Sequence, residues 1–165
     1  MANPEHLDIL KQGVEVWNRW RIENPDFSNA RLFRSSLKGI NLSKANLRHA
    51  DFTETNLNHL NLKKSDFYGA VFGDTQIASV NLDKAKNLEN CYHMLPSNLS
   101  LWTLANNPNI PVEFLKGCGL SDWEIEASKL YTPNVSREEY SNVLYRVENL
   151  RFENPIQFFS CFISY

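Results

Sequence analysis

The sequence predicts an all-β solenoid closed at both ends by α-helices, and three observations support this fold class. An apolar residue recurs every five positions between residues 27 and 82. Residues twenty positions apart match in chemistry, and helical patterns with capping residues flank the repeat on both sides. The chain has 165 residues, 42% hydrophobic and 22% charged, which is the composition of a folded domain.

The five-residue period predicts the path of the chain. It fits neither the 3.6-residue period of a helix nor the two-residue period of a strand, so the chain must turn a corner between successive apolar residues. Small side chains such as Ala30, Ala45 and Ala50 precede these residues by two positions and suit a tight corner. We call the twelve in-register residues the central residues: Phe27, Leu32, Leu37, Leu42, Leu47, Phe52, Leu57, Leu62, Phe67, Phe72, Ile77 and Leu82.

A second period of twenty residues predicts four sides per coil and about three coils. Asn41, Asn61 and Asn81 match at this spacing. A shift of fifteen or twenty-five residues instead sets Ile40 against Thr55 or Ser65. Coils joined by backbone hydrogen bonds lie about 4.8 Å apart, so matching residues form columns along each face. We expect the asparagine amides to hydrogen-bond along their column, as in cross-β assemblies.

One capping helix is predicted over residues 1–24, before the coil. Asn3 and Pro4 are typical of a helix start, apolar residues follow at helical spacing, and Pro25 ends the pattern. The coil is then predicted over residues 25–92, because Asn87 stands where a thirteenth central residue would be and the register slips there.

A C-terminal helical cap is predicted over residues 93–155. Helical signals begin at Pro111, at Ser121 and at Ser136, and Ser136 forms a capping-box pattern with Glu139. Apolar residues dominate the remaining segment, residues 156–165, which is predicted to be a strand-like tail.

The pentads Ala45-Asn46-Leu47, Ala50-Asp51-Phe52 and Ser65-Asp66-Phe67 resemble the pentapeptide-repeat family. The resemblance implies a right-handed quadrilateral β-helix. Residues 111–155 resemble the helical segment that joins such repeats to a TIR domain in bacterial proteins, and Phe159 to Tyr165 are similar to the first TIR strand. The NAD-cleaving glutamate of TIR domains lies downstream of that strand, so no residue here takes its role. An apolar tail packed on the helices is the alternative for residues 156–165.

The lysines of the repeat are the candidate functional residues. Lys44, Lys64 and Lys84 match at the twenty-residue spacing, and Lys63 adds a fourth charge to their column. Ammonium groups about 4.8 Å apart repel one another unless an anion or an acidic partner lies among them. The column therefore predicts an anion-binding or partner-binding face, and the alternative is a solvated surface softened by Asp83.

Catalytic and cofactor sites are not expected from this sequence. It contains no nucleotide-binding glycine loop, nucleophile elbow or zinc-protease motif. Cys91 and His93, considered with His49 and His59, lack a second ligand pair at zinc spacing. The four tryptophans, Trp17, Trp20, Trp102 and Trp123, are predicted to pack in the caps.

The favoured function is a non-catalytic structural or protein-interaction scaffold. Two alternatives are a DNA-mimic inhibitor of a topoisomerase and the non-catalytic N-terminal part of a TIR-domain effector. Residues 26–85 hold eight Lys and Arg against six Asp and Glu, a balance that suits neither DNA mimicry nor nucleic-acid binding. We expect a cytoplasmic protein with a protein partner, without a cofactor, a nucleic-acid partner or a membrane span, and either monomeric or weakly dimeric.

Overall fold

The computed structural model describes residues 2–20 and 23–153. Its centre is a repeat β-helix in which parallel bridges join residues twenty positions apart. Four bridged positions occur in each twenty-residue coil, as the sequence periods predict. The bridges are Asp26 with Asn46, Arg31 with Asp51, Ser36 with Asn56, Asn41 with Asn61, Asn46 with Asp66, Asp51 with Val71, Asn56 with Gln76, Asn61 with Asn81, and Asp66 with Lys86.

The corner after each central residue is a tight turn closed by a backbone hydrogen bond. In the first turn, the Ala30 N–H donates to the Phe27 carbonyl at 3.0 Å. The residue two positions after the central one has a positive φ, for example 58° at Asn29 and 62° at His59. A positive φ at the third residue of a turn is typical of type II geometry.

An Asn or Asp before eight of the twelve central residues holds the following turn in place. Asn41 Oδ1 accepts the backbone N–H of Ser43 at 3.1 Å, and Asn61 and Asn81 accept from the second residue after them in the same way. These are Asx turns, which explain the preference for Asn and Asp in the repeat. The asparagine column therefore differs from the expected one, because its amide oxygens bond to the local backbone and not along the stack.

The interior of the coil is filled by the central residues. All twelve are at most 6% exposed, and Phe52, Phe67 and Phe72 pack together with ring centroids 5.3–6.0 Å apart. The small residues at the corners, including Ala50 and Ala70, are also buried. Close packing of this kind leaves the coil without a channel between residues 27 and 82.

The N-terminal cap consists of two helices instead of the single predicted one. Helix α1 spans Pro4–Lys11 and helix α2 spans Val14–Trp20. Between them lies Gly13 with φ of 110°, a conformation that L side chains rarely adopt and that ends α1. Asn3 caps α1 by accepting the Glu5 N–H at 3.0 Å, as the sequence predicts.

Side chains of the N-terminal cap bond to the open edge of the first coil. Trp17 is fully buried, and its indole N–H donates to the Asn41 carbonyl at 2.8 Å. Asn18 accepts the Asn41 N–H at 2.8 Å, and His6 Nδ1 accepts the Asp26 N–H at 2.9 Å. The cap thus replaces part of the hydrogen bonding that a preceding coil would provide.

Parallel pairing continues beyond residue 92, where the sequence places the end of the coil. Strand β1, Val71–Phe72, pairs with β3, Tyr92–His93, and strand β2, Gln76–Ile77, pairs with β4, Asn98–Leu99. These partners are 21 and 22 positions apart, so two single-residue insertions shift the register. The first insertion accompanies the 3-10 helix Leu88–Asn90. The pairing therefore continues after the register shift and forms a partial fourth coil.

Four helices follow the partial coil: α3 (Leu101–Asn106), α4 (Val112–Gly117), α5 (Asp122–Ser128) and α6 (Arg137–Glu153). A 3-10 helix, Lys129–Tyr131, extends α5. The starts of α4, α5 and α6 agree with the signals at Pro111, Ser121 and Ser136, whereas α3 is not predicted. The tail, residues 156–165, lies outside the described residues.

The segment around α3 closes the last coil with side-chain hydrogen bonds. Asn107 Oδ1 accepts the Leu82 N–H at 2.7 Å, and its Nδ2 donates to the Val80 carbonyl at 2.9 Å. The Thr103 hydroxyl donates to the Ile77 carbonyl at 2.9 Å. In residues 2–20 and 23–153, no helix is long and apolar enough to span a membrane.

Candidate functional site

The three lysines that repeat every twenty residues stack at one corner of the coil. Each occupies the positive-φ position of its turn, with φ of 60° at Lys44, 62° at Lys64 and 55° at Lys84. The successive turns are joined by backbone hydrogen bonds from Lys44 N–H to the Lys63 carbonyl and from Lys64 N–H to the Asp83 carbonyl. We call Lys44, Lys63, Lys64 and Lys84 the lysine corner.

Two members of the lysine corner are neutralised by nearby carboxylates. Lys63 Nζ lies 2.9 Å from Asp83 Oδ2, and Lys44 forms an ion pair with Glu23. The hydrogen bond from Lys63, together with the charges of Lys84 and Lys64, lowers the pKa of Asp83. Asp83 therefore stays ionised, and it softens the column as the alternative interpretation requires.

The other two lysines keep their charge available. Within the described part of the chain, Lys64 and Lys84 have no carboxylate within ion-pair distance. Both side chains are exposed. The corner thus holds four cations against two carboxylates, Glu23 and Asp83, and its surplus charge lies on the second and third coils.

A groove beside the lysine corner adds cations that sequence reasoning missed. Arg48 follows a central residue and Lys86 precedes the register slip, so neither shares the spacing of the lysines. Coiling nevertheless brings them to the same groove. We call this surface the basic groove, and it includes Lys44, Asn46, Arg48, Lys64, Asp66 and Lys86.

One carboxylate lies in the basic groove and is held by its neighbours. Arg48 Nη1 lies 3.2 Å from Asp66 Oδ2, and Asn87 Nδ2 donates to Asp66 Oδ1 at 2.7 Å. Partial burial opposes ionisation of Asp66, but these bonds and one from the Tyr68 N–H outweigh it and lower the Asp66 pKa. The Asp66 charge is therefore present at neutral pH and is balanced mainly by Arg48.

The cysteine and histidine residues are dispersed among structural roles. Burial raises the pKa of Cys91 to about 12, with Glu89 and Asp66 adding to the effect, so its thiol is not a nucleophile at neutral pH. His93 stacks on Phe72 with ring centroids 5.7 Å apart, and the His49 ring meets Tyr68 edge-on. Among the residues that the structure describes, no three His, Cys, Asp or Glu side chains are grouped to hold a metal.

The tryptophans differ from one another more than the sequence suggests. Trp17 is buried in the N-terminal cap and Trp20 is partly buried beside it. Trp123 is partly buried, and the Arg151 guanidinium lies 5.1 Å from its ring centroid. Trp102, however, is 50% exposed, because the opposite face of α3 turns Thr103 and Leu104 toward the coil.

The comparisons with known proteins identify the repeat. A family model described as pentapeptide repeats matches residues 26–63 and 45–83, in eight copies. Residues 26–83 are thus similar to pentapeptide repeats. The matched segment lies within the bridged coils and contains the whole lysine corner except Lys84, which follows it directly. Known pentapeptide-repeat proteins are mainly non-enzymatic structural proteins.

Two solved pentapeptide-repeat structures are similar to this chain. One is a protein from the Arabidopsis thaliana thylakoid lumen, 26% identical, with a TM-score of 0.40 and coverage of 61% of this chain and 74% of that one. The other is Rfr23 from the cyanobacterium Cyanothece 51142, 23% identical, with a TM-score of 0.18 and coverage of 49% of this chain and 64% of that one. No curated protein matches the chain.

Proposed function

We propose that this chain is a non-catalytic scaffold that binds a protein partner through a pentapeptide-repeat rod. In this proposal the rod is a right-handed quadrilateral β-helix of about three coils, and the lysine corner is part of the surface that contacts the partner. The observation that carries the proposal is the filled interior. Because the central residues are at most 6% exposed, the coil offers surfaces and not a reaction chamber.

The regular stacking of the coil supports a binding role. Each face presents one residue per coil at a spacing of about 4.8 Å, so side chains from distant parts of the sequence form a continuous surface. Asymmetry between corners gives that surface specificity. The positive-φ position is lysine in all three coils at one corner, whereas another corner carries Asn29, His49 and Gly69.

The charge distribution argues against DNA mimicry. A protein that imitates DNA presents rows of carboxylates to a cationic enzyme surface. Here one corner carries lysine in every coil, and the adjacent groove adds Arg48 and Lys86. A purified chain that inhibited topoisomerase supercoiling at stoichiometric concentration would contradict this part of the proposal.

Site-specific photo-crosslinking tests the scaffold function. A photo-crosslinking amino acid is placed at Asn81, beside the lysine corner, or at Gln76, an exposed bridging residue on another face of the same coil. We expect a discrete protein adduct from the Asn81 variant in extract of the source organism and none from the Gln76 variant. NAD or ester hydrolysis by the purified chain, or the absence of adducts from both positions and from crosslinkers on the two remaining faces, would overturn the proposal.

A further inference from the structure

The asparagine column precedes the lysine corner in each coil, and it adds hydrogen-bond donors next to the lysines. The amide oxygens of Asn41, Asn61 and Asn81 accept from the local backbone, which leaves the NH2 group of each side chain as a donor. The neighbouring lysines only donate as well. Such a surface is complementary to a ligand rich in acceptors and negative charge.

The cations of the basic groove are not fully compensated. Lys44 and Arg48 pair with Glu23 and Asp66, respectively. Lys64 and Lys86 have no ion pair within residues 2–20 and 23–153. Both are exposed and line the same groove. Lys64 lies at the end of the second coil, and Lys86 lies just after the third. An anionic ligand therefore has two free ammonium groups to bind.

The lining of the groove favours carboxylates over nucleic acid. Single-stranded nucleic acids bind through aromatic side chains that stack on the bases, and none of the described residues that line the groove is aromatic. The ring of Tyr68 is covered by the guanidinium of Arg48, which lies 4.6 Å from its centroid. Duplex DNA carries one charge per about 1.7 Å and requires a longer basic surface than two free lysines provide.

We propose that the basic groove binds an extended acidic segment of the partner protein, with Lys64 and Lys86 as its main cationic contacts. This proposal rests on the proposed scaffold function and adds the chemistry of the partner. In an extended segment, alternate side chains point the same way at a spacing of about 6.8 Å, so two or three carboxylates span the groove across neighbouring coils. The Asp66 carboxylate is bonded to Arg48 and Asn87, which limits its repulsion of the segment.

The direct test is peptide binding to the full chain, which is monitored by fluorescence anisotropy of the labelled peptide. The probe is a short peptide with glutamate at alternate positions, and the control peptide has glutamine at those positions. We expect the acidic peptide to bind, the neutral peptide not to bind, and the affinity to fall as salt rises from about 50 to about 300 mM.

Charge-neutralising variants locate the site. The double variant Lys64→Gln with Lys86→Gln is expected to weaken binding by at least about tenfold. Lys38→Gln, an exposed lysine on another face of the coil, is the matched control and is expected to leave the affinity unchanged. Far-ultraviolet circular dichroism and thermal melting confirm that each variant is folded, since all three lysines are exposed.

Three results would overturn the acidic-segment proposal: equal weakening by Lys38→Gln, no binding of the acidic peptide, or tighter binding of single-stranded or duplex oligonucleotides. The scaffold function fails separately. If Asn81 yields a discrete adduct and the acidic peptide does not bind, the scaffold stands and the groove chemistry is wrong. If no face yields an adduct, the scaffold itself is wrong.

Discussion

At the scale of single residues, each pentad repeats a backbone conformation as well as a pattern of side-chain types. One residue in each pentad has a positive φ, and in the repeat this residue is lysine, histidine, glutamate or arginine more often than glycine. A left-handed conformation costs a non-glycine residue about 1 kcal/mol or more. The repeat tolerates this cost because the two backbone bonds at each turn fix the corner.

The strain at these positions gives a stability prediction. Lys64→Gly is expected to leave stability unchanged or raise it by about 0.5–1 kcal/mol, because glycine adopts the 62° φ of this position without strain. Lys63→Gly, one residue earlier, is expected to lower stability by about 0.5–1 kcal/mol through the greater entropy of its unfolded chain. Urea denaturation measures both, and similar destabilisation by the two variants would contradict the argument.

His93 gives a second prediction at this scale. It occupies the central position of the partial fourth coil, stacked on Phe72 and 5.0 Å from the Phe114 ring, and its Nε2 is buried without a hydrogen-bond partner. Burial lowers the His93 pKa. The unfolded state therefore binds a proton more readily, and the stability that His93 contributes is present above its unfolded pKa of about 6.5 and is lost as the pH falls below it.

The measurement compares the free energy of unfolding of the wild type and of His93→Phe between about pH 5 and 8. The wild type is expected to lose more stability than His93→Phe on acidification. His59→Phe, at an exposed position, is the control and should follow the wild type. Identical pH profiles for the wild type and His93→Phe would show that the imidazole is hydrated and not buried.

At the scale of elements, the two caps show what the sequence reveals and what it does not. Helices α5 and α6 begin at local signals, because Ser121 and Ser136 form hydrogen bonds with residues three positions later, and α4 begins directly after a proline, Pro111. Helix α3 also has a local cap, because Ser100 accepts the Thr103 N–H at 3.2 Å, but the sequence prediction missed it. Its inner side carries Thr103 and, just beyond its end, Asn107, whose partners lie 23 to 27 positions earlier in the chain. Polar residues that bond to a distant backbone look like a loop in the sequence.

The bonds of Asn107 to the last coil are expected to matter for stability. Asn107→Ala leaves the buried Leu82 N–H and the Val80 carbonyl without partners, at a cost of about 2–4 kcal/mol. Asn106→Ala is the matched control, since Asn106 is exposed and bonds only to the Trp102 carbonyl within its own helix. It should change stability by less than about 0.5 kcal/mol. Equal effects in urea denaturation would contradict the capping role.

In the candidate site, too, some residues can be predicted from sequence spacing and others only from the folded structure. The lysine column is visible in the sequence because its members share the twenty-residue spacing. Arg48 and Lys86 occupy other positions of their pentads, so only the coiled backbone brings them beside Lys64. The free charge of Lys64 also depends on which carboxylates Lys63 and Lys44 engage, and spacing alone does not determine those pairs.

At the scale of the whole molecule, each coil depends on its neighbours for most of its backbone hydrogen bonds. A coil at either end therefore has an unpaired edge and an apolar cross-section. The caps cover these surfaces through Trp17, Asn18 and His6 at one end and through Thr103 and Asn107 at the other. Stability of the rod is thus inseparable from its ends.

Removal of the N-terminal cap tests this dependence. A chain without residues 2–20 exposes Phe27 and the Asn41 backbone, and it is expected to self-associate through the open edge. Size-exclusion chromatography with light scattering should show oligomers or aggregates that grow with concentration. The full chain under the same conditions is the control, and a monomeric truncated chain of unchanged melting temperature would contradict the expectation.

The two single-residue insertions after Lys86 have a further consequence for the length of the rod. A stack of coils in perfect register can accept further layers without limit, as cross-β fibrils do. The partial fourth coil of this chain is offset by one and then by two residues, so this end of the coil is a poor template for pairing with another copy of the repeat. The shifted register of the backbone therefore limits the number of coils, and the surface offered to a partner has a fixed length.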